Sequence, residues 1–101
     1  MLKTLVARLE EALDRAGFRR FSSAEAKRIG DKIQVDWTKV PLGEFRAGLT
    51  VELEHGTADR QTNVTNNDLV KTAKIALAHL KEDPRYYSRL KRAGVKDIPP
   101  I

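Results

Sequence analysis

The chain begins with an apolar stripe at helical spacing, flanked by charged residues on the other side. Its members are Leu2, Leu5, Val6, Leu9 and Leu13. The stripe predicts a helix over residues 2–16, which Gly17 is placed to end. A second helix is predicted from Ser22 to about Ile33. Ser22 and Glu25 fit a capping box there, in which each side chain accepts a hydrogen bond from the other residue's backbone amide.

The segment after the second helix changes its periodicity. Val35, Trp37 and Val40 alternate with polar residues, which is compatible with a strand. No second strand is predicted for such a short segment to pair with, and a lone strand is not stable. We therefore predict an extended connector that buries Trp37.

Two longer helices are predicted next. Pro41 suits the first turn of a helix, which is expected over residues 42–55 and ends at Gly56. Its apolar stripe consists of Leu42, Phe45, Leu49 and Leu53. After a polar segment, a capping box led by Thr65 predicts the next helix over residues 66–82. The two helices are expected to form an antiparallel hairpin.

A last short helix is predicted from Asp83, as its cap, to Gly94, with Pro84 in the first position. Tyr86 and Leu90 are four residues apart and are expected to face the core, which leaves Tyr87 at the margin. The two prolines near the end of the chain exclude a helix there and indicate a tail.

These elements favour an all-α fold of four to five short helices with a central helical hairpin. The 101 residues, 41% of them hydrophobic, suffice for one core and are too few for two domains. We therefore predict one helical domain over residues 1–94 and a carboxy-terminal tail over residues 95–101.

Composition excludes several classes of site. No cysteine is present, so disulfides, thiolate metal sites and cysteine nucleophiles are excluded. No apolar run approaches the roughly 20 residues of a membrane span, and residues 1–8 lack the apolar core of a signal peptide. We expect a cytoplasmic protein without membrane contact. Because no nucleophile elbow, phosphate loop or dinucleotide fingerprint occurs, we also expect no enzymatic activity and no cofactor.

Positive charge is concentrated near the carboxy terminus. The chain has a net charge of +5, and residues 84–101 carry four of these charges, with Asp97 as the one acid. The basic residues of this stretch are Arg85, Arg89, Lys91, Arg92 and Lys96. A solvated helix face is the simpler interpretation, and a nucleic-acid-binding surface is the alternative.

The two histidines each lie one helical turn from a glutamate, as Glu52-x-x-His55 and His79-x-x-Glu82. Helical bundles use this spacing to hold metal ions. In an antiparallel hairpin, however, His55 and His79 would lie roughly 15 to 20 Å apart, which argues against one four-ligand site. Histidines in structural roles are the simpler interpretation, with His55 near a helix carboxy terminus and His79 at the edge of the core.

Five segments form a more specific pattern across about two-thirds of the chain. They are AKRIGDKI (26–33), VDW (35–37), EFRAGLTVELEHG (44–56), TNVT (62–65) and IALAHLKEDPRYYSRL (75–90). Together they resemble a family of small uncharacterised bacterial and bacteriophage domains. The resemblance implies the helical hairpin and draws attention to the glutamate–histidine pairs, but it implies no reaction. Asn67, where an acid is expected beside Asp68, and the basic carboxy-terminal segment depart from the family pattern.

The leading functional prediction is a small non-enzymatic interaction or assembly module of phage or mobile-element origin. It would act through a protein partner or through self-association. A nucleic-acid-binding module that uses the five basic residues is the first alternative. A metal-binding domain that uses Glu52, His55, His79 and Glu82 is the second.

Overall fold

The computed structural model describes residues 19–95 and 98–101, and this part of the chain contains four helices. They are α1 (Ser23–Lys32), α2 (Leu42–Ala58), α3 (Leu69–Glu82) and α4 (Tyr86–Arg92). No strand occurs within these two ranges, so the predicted all-α class is confirmed. The helix predicted over residues 2–16 lies outside the described residues.

The predicted start of α1 is confirmed in detail. The Ser22 hydroxyl accepts a hydrogen bond from the Glu25 amide at 3.1 Å. The Glu25 carboxylate accepts one from the Ser22 amide at 3.3 Å. Both bonds of the capping box are therefore present, and they satisfy amides that the first turn of a helix leaves without partners.

The central element is α2, which packs against α1, α3 and α4. Most of its middle turns are buried: Glu44, Phe45, Ala47, Gly48, Leu49, Thr50 and Val51. These positions cover the whole circumference of the helix rather than one stripe. Phe45 and Leu49 of the predicted stripe are buried, whereas Leu42 and Leu53 are partly buried against the core. Because the helix has neighbours on several sides, Arg46 is the one residue from 44 to 51 that is not buried.

The carboxy-terminal end of α2 lies later than predicted. The helix continues through Gly56 to Ala58. A methyl group on Gly56 would lie 2.9 Å from the Asn63 side-chain oxygen and 3.3 Å from the Thr65 hydroxyl. Gly56 therefore allows the following loop to approach the helix and does not end it.

The beginning of α3 also differs from the prediction. Asn66 and Asn67 have positive φ angles of 50° and 64°, so neither residue is helical. Asp68 caps the helix instead, and its carboxylate accepts a hydrogen bond from the Lys71 amide at 2.9 Å. The prediction of Thr65 as the cap is wrong. Thr65 is buried in the preceding turn, where its carbonyl oxygen accepts from the Asp68 amide.

The predicted cap of α4 is displaced in the same way. Asp83 accepts a hydrogen bond from the Arg85 amide at 3.0 Å, which forms a turn containing Pro84 before the helix begins at Tyr86. The far end matches the prediction, since Gly94 adopts a φ of 86° just after the helix. Glycine takes this left-handed conformation with no steric penalty.

The connector between α1 and α2 contains a turn rather than an extended segment. The Asp36 carbonyl oxygen accepts hydrogen bonds from the amides of Lys39 and Val40. Gln34, just after α1, has a φ of 60°, a backbone angle that residues other than glycine rarely adopt. The predicted extended conformation is therefore wrong, because backbone hydrogen bonds within the segment replace the missing partner strand.

Trp37 is half-buried in this turn and packs edge-on against Phe45, with ring centroids 5.5 Å apart. Its indole N–H donates a 2.8 Å hydrogen bond to Asp31, which lowers the pKa of that carboxyl below its usual value. A methyl group on Gly30 would overlap the indole ring. The lack of a side chain at Gly30 therefore lets the connector close over α1.

The described carboxy-terminal residues 98–101 are not helical, and they pack against α2. The Arg46 guanidinium donates a hydrogen bond to the Pro100 carbonyl oxygen at 3.3 Å. Ile98 packs against the core, and Ile101 approaches Gly43. None of the helices α1 to α4 is long and apolar enough to cross a membrane.

Candidate functional site

Glu44 is a buried carboxylate that holds the start of α4. It accepts hydrogen bonds from the backbone amides of Tyr87 and Ser88 at 3.1 and 3.2 Å, and a third from the Ser88 hydroxyl. The residue before α4 provides no side-chain cap. Glu44 therefore caps a helix to which it does not belong, and its charge interacts favourably with the amino-terminal end of that helix.

Glu52 lies two turns further along α2, with 9% of its side chain exposed. It accepts a 2.8 Å hydrogen bond from the Tyr87 hydroxyl. Tyr87 is fully buried, and this burial, together with the nearby Glu52 charge, raises the pKa of the phenol above its usual value. The same tyrosine thus joins two carboxylates of α2, through its backbone amide at Glu44 and its hydroxyl at Glu52.

Gly48, midway between the two glutamates, makes this arrangement possible. A methyl group at this position would overlap the Tyr87 ring and lie 3.1 Å from the Ala76 methyl group. The tyrosine ring therefore lies directly against the backbone of α2. Sequence reasoning placed Tyr86 toward the core and Tyr87 at its margin, and the structure reverses the two, since Tyr86 is only half-buried.

The two histidines flank the carboxylate of Glu52. Nδ1 of His55 lies 3.9 Å from one carboxylate oxygen, and Nε2 of His79 lies 3.7 Å from the other. The predicted separation of roughly 15 to 20 Å between the histidines is therefore wrong. Gly48 lies against Ala76 of α3, and Glu52 lies against His79. The predicted separation assumed helices in register, whereas α2 and α3 pack closely enough for the Glu52 and His79 side chains to meet.

Aromatic rings fix the position of His79. Its ring stacks on Tyr86 with centroids 4.4 Å apart and an interplanar angle of 3°. The edge of Tyr87 meets it at 6.4 Å and 90°. Stacking on a half-buried ring restricts rotation of the imidazole. His79 is thus held in place, whereas the side chain of His55 is 65% exposed.

The four predicted metal ligands are brought together only in part. Glu52, His55 and His79 converge, whereas Glu82 is exposed and has no contact with Glu52 among the contacts within residues 19–95 and 98–101. No three histidine, aspartate or glutamate side chains in this part of the chain are already arranged as metal ligands. The metal-binding hypothesis therefore stays a prediction.

A cleft of about 600 Å³ lies between the α1–α2 connector and the second half of α3. It is lined by Gln34, Val35, Asp36, Lys39, Val40, Leu77, Leu80, Lys81 and Pro84. The Asp36 carboxylate accepts hydrogen bonds from the hydroxyl and the amide of Thr38. Both bonds lower the pKa of this carboxyl, and the bond from the hydroxyl has the larger effect. Lys39 and Lys81 are exposed, and neither forms an ion pair with the acids of the described residues, although the charge of Lys39 also contributes to the lowered pKa of Asp36.

Sequence reasoning missed this cleft because its two lysines are far apart in the chain. Lys39 belongs to the connector and Lys81 to the last turn of α3. Neither position has a motif around it, and only the packing of the connector against α3 brings them to one surface. The role of Glu44 was missed for the same reason, since its partners lie on α4.

The basic residues near the carboxy terminus lie mostly on the solvent side of α4. Arg85, Arg89 and Arg92 follow each other at spacings of four and three residues, which places them on one side of a helix. All three are exposed, and Arg89 forms a 2.8 Å ion pair with Asp83. Lys91 is also exposed, whereas Lys96 lies outside the described residues.

Comparison with known families covers most of the described chain. A family model described as a protein of unknown function (DUF5661) matches residues 26–94. The chain belongs to the DUF5661 family. The cleft lies within the DUF5661 region, and so do Glu52, His55 and His79. No curated protein and no solved structure matches the chain.

Proposed function

We propose that this DUF5661 domain is a non-enzymatic interaction module that binds a segment of a partner protein in the cleft between the connector and α3. A volume of about 600 Å³ is in the usual range for binding sites. The proposal depends on one observation, which is that Lys39 and Lys81 flank an apolar surface and form no ion pair with an acid of the described residues. A partner segment that fits this cleft has an apolar side chain for the apolar surface and neighbouring acidic residues for the two lysines.

Gln34 lies in the same cleft. Its φ of 60° belongs to the end of α1, where the amides of Gln34 and Val35 donate hydrogen bonds to the carbonyl oxygens of Asp31 and Gly30. Gln34 lines the cleft, and a side-chain amide can donate and accept hydrogen bonds. This amide group therefore fits a role in recognising the backbone of the partner segment.

The proposal includes the setting predicted from the sequence. The module would work in the cytoplasm, since no cysteine pair requires an oxidising compartment. The bacterial and bacteriophage resemblance supports a partner from a phage or mobile-element assembly.

A peptide-display selection on the full-length chain tests the cleft directly. Enriched peptides are expected to share an apolar residue next to acids. Their affinity should fall at least about tenfold for the double variant Lys39→Glu and Lys81→Glu, because charge complementarity is reversed. The matched control is Lys71→Glu with Lys74→Glu, which changes the net charge equally on exposed positions of α3 outside the cleft. Failure to enrich peptides, or equal losses in both double variants, would overturn the proposal.

Self-association is the other form of assembly, and light scattering of the eluting peak measures it. A monomer at every concentration leaves a separate partner as the occupant of the cleft. A dimer that the Lys39→Glu and Lys81→Glu variant dissociates would show that a second copy fills the cleft instead.

Nucleic-acid binding is a second candidate, which the shared face of Arg85, Arg89 and Arg92 favours. Binding of labelled single- and double-stranded DNA should weaken with salt by about one unit of log–log slope per phosphate contact. The variant Arg85→Ala with Arg92→Ala should reduce that slope by about two. Arg89 should matter less because Asp83 already neutralises it. Absence of binding at low salt would exclude this candidate.

A further inference from the structure

The carboxylate of Glu52 is nearly buried and poorly compensated. Only 9% of the side chain is exposed, and the Tyr87 hydroxyl is the one hydrogen-bond donor that reaches it among the described residues. Glu44 places a second carboxylate on the other side of the same tyrosine. A carboxylate removed from water needs either several donors or a nearby cation. The surroundings of Glu52 therefore favour a positively charged partner.

The two imidazoles approach Glu52 without forming hydrogen bonds to it. The nitrogen–oxygen distances of 3.7 Å for His79 and 3.9 Å for His55 are too long for that interaction. Two ligands bound to the same tetrahedral metal ion at 2.0–2.1 Å lie about 3.4 Å apart. Each imidazole nitrogen thus lies within about half an ångström of that separation from one oxygen of Glu52, and the two histidines face different oxygens of the carboxylate.

Glu52 and His79 are each oriented by a neighbouring side chain, as metal ligands in proteins commonly are. The Tyr87 hydroxyl orients the Glu52 carboxylate, and the stacked Tyr86 ring orients the imidazole of His79. Such outer contacts hold ligands in place before the ion binds. His55 is exposed and can rotate to complete the set.

We propose that Glu52, His55 and His79 bind a divalent first-row transition metal ion between α2 and α3. Two imidazoles with one carboxylate form a ligand set that zinc accepts, with one position left for water. The ion would balance the charge of Glu52 and connect α2 to α3. Glu82, the fourth residue predicted from the sequence, is not part of this site.

Titration of untagged, chelator-treated full-length protein with Zn²⁺ tests the site by calorimetry. We expect one equivalent to bind and the melting temperature to rise, with EDTA reversing the rise. Co²⁺ in place of Zn²⁺ should give visible absorption bands from nitrogen and oxygen ligands. Nuclear magnetic resonance of the imidazole nitrogens should show both histidines shifting together on addition of Zn²⁺.

Variants distinguish this site from adventitious binding at single histidines. Glu52→Gln, His55→Gln and His79→Gln should each weaken Zn²⁺ binding by at least about tenfold. Glu82→Gln is the matched control and should leave the affinity unchanged, because its side chain is exposed on α3. Circular dichroism establishes that each variant is folded. No saturable binding, equal weakening in Glu52→Gln and Glu82→Gln, or two independent weak sites that each depend on one histidine would overturn the proposal.

Discussion

Glu44 and Glu52 are two carboxylates of one helix that face the same tyrosine, yet their surroundings differ. Glu44 accepts three hydrogen bonds, all from the first turn of α4. From residues 19–95 and 98–101, Glu52 accepts one, from the Tyr87 hydroxyl, and two imidazoles lie beyond hydrogen-bond distance. The hydrogen bonds of the Glu44 carboxylate all serve to hold α4, whereas the Glu52 carboxylate can still accept a further donor or a metal ion.

This difference separates a structural role from a binding role. A buried carboxylate with several donors stabilises the elements that provide them, and its removal leaves those donors without partners. A buried carboxylate with too few donors contributes little to folding by itself. Stability measurements on the two positions should therefore differ clearly, and four substitutions test this comparison.

The largest effect is expected for Glu44→Gln. The free energy of unfolding should fall by about 3 kcal/mol, because hydrogen bonds to a charged group contribute about 1.5–3 kcal/mol each and one amide oxygen cannot replace them all. Urea denaturation measures the loss, with Glu82→Gln as the exposed control. Hydrogen exchange of the Tyr87 and Ser88 amides should also become faster. A loss no larger than that of the control would refute the capping role.

Gly48→Ala should have the next largest effect, about 2 kcal/mol of destabilisation. The added methyl group would push the Tyr87 ring away from α2 and disturb its contacts with both glutamates. Gly43→Ala is the matched control on the same helix, since its methyl group would lie 3.3 Å from the nearest atom of Ile101. Thermal unfolding of the two variants should show a clearly larger loss at Gly48. Similar losses would mean that the ring adjusts without leaving the carboxylates.

Tyr87→Phe should cost about 1 kcal/mol at neutral pH, because Glu52 loses its hydrogen-bond donor. The variant should also change how the free energy of unfolding depends on pH in the alkaline range. The raised pKa of Tyr87 favours the neutral phenol in the folded state. Its stabilisation is therefore present below the usual pKa of 10.0 and declines as the pH rises above that value.

The wild type should lose stability above about pH 10 more steeply than Tyr87→Phe. Tyr86→Phe is the control, and it should keep the steep decline because the buried phenol remains. Denaturant unfolding at several alkaline pH values gives the comparison. Parallel curves for the wild type and Tyr87→Phe would contradict the assignment.

Glu52→Gln should have the smallest effect, below about 1 kcal/mol in the presence of EDTA. The amide oxygen can still accept the hydrogen bond from Tyr87, and the buried charge is removed. Urea denaturation without free metal measures this value. A loss equal to that of Glu44→Gln would show that the two carboxylates do not differ as their contacts indicate.

Local patterns predicted much of the fold. The capping box at Ser22, the end of the last helix at Gly94 and the order of the helices depend on neighbours in the sequence, and the structure agrees with them. The boundaries that differ depend on distant residues. Gly56 stays helical because the Asn63 loop packs against it, and α4 begins late because Glu44 caps it.

The site was predictable only as a set of residue types. The glutamate–histidine spacing identified Glu52, His55 and His79, but their separation could not be derived from helix lengths. Their meeting depends on how α2 and α3 cross, which Gly48 allows through its contact with Ala76. The burial of Tyr87 in place of Tyr86 follows from the same contact, since only a residue without a side chain leaves room for the ring.

Trp37 is the single tryptophan of the sequence, and it is placed where its fluorescence can report on one part of the molecule. Its ring packs on Phe45 and bonds to Asp31, so the emission should change when α1 separates from α2. The tyrosine signal in near-ultraviolet circular dichroism reports instead on Tyr86 and Tyr87 beside α3. Coincident transitions of the two signals would show that the helices unfold together as one unit. No label or engineered chromophore is needed for that observation.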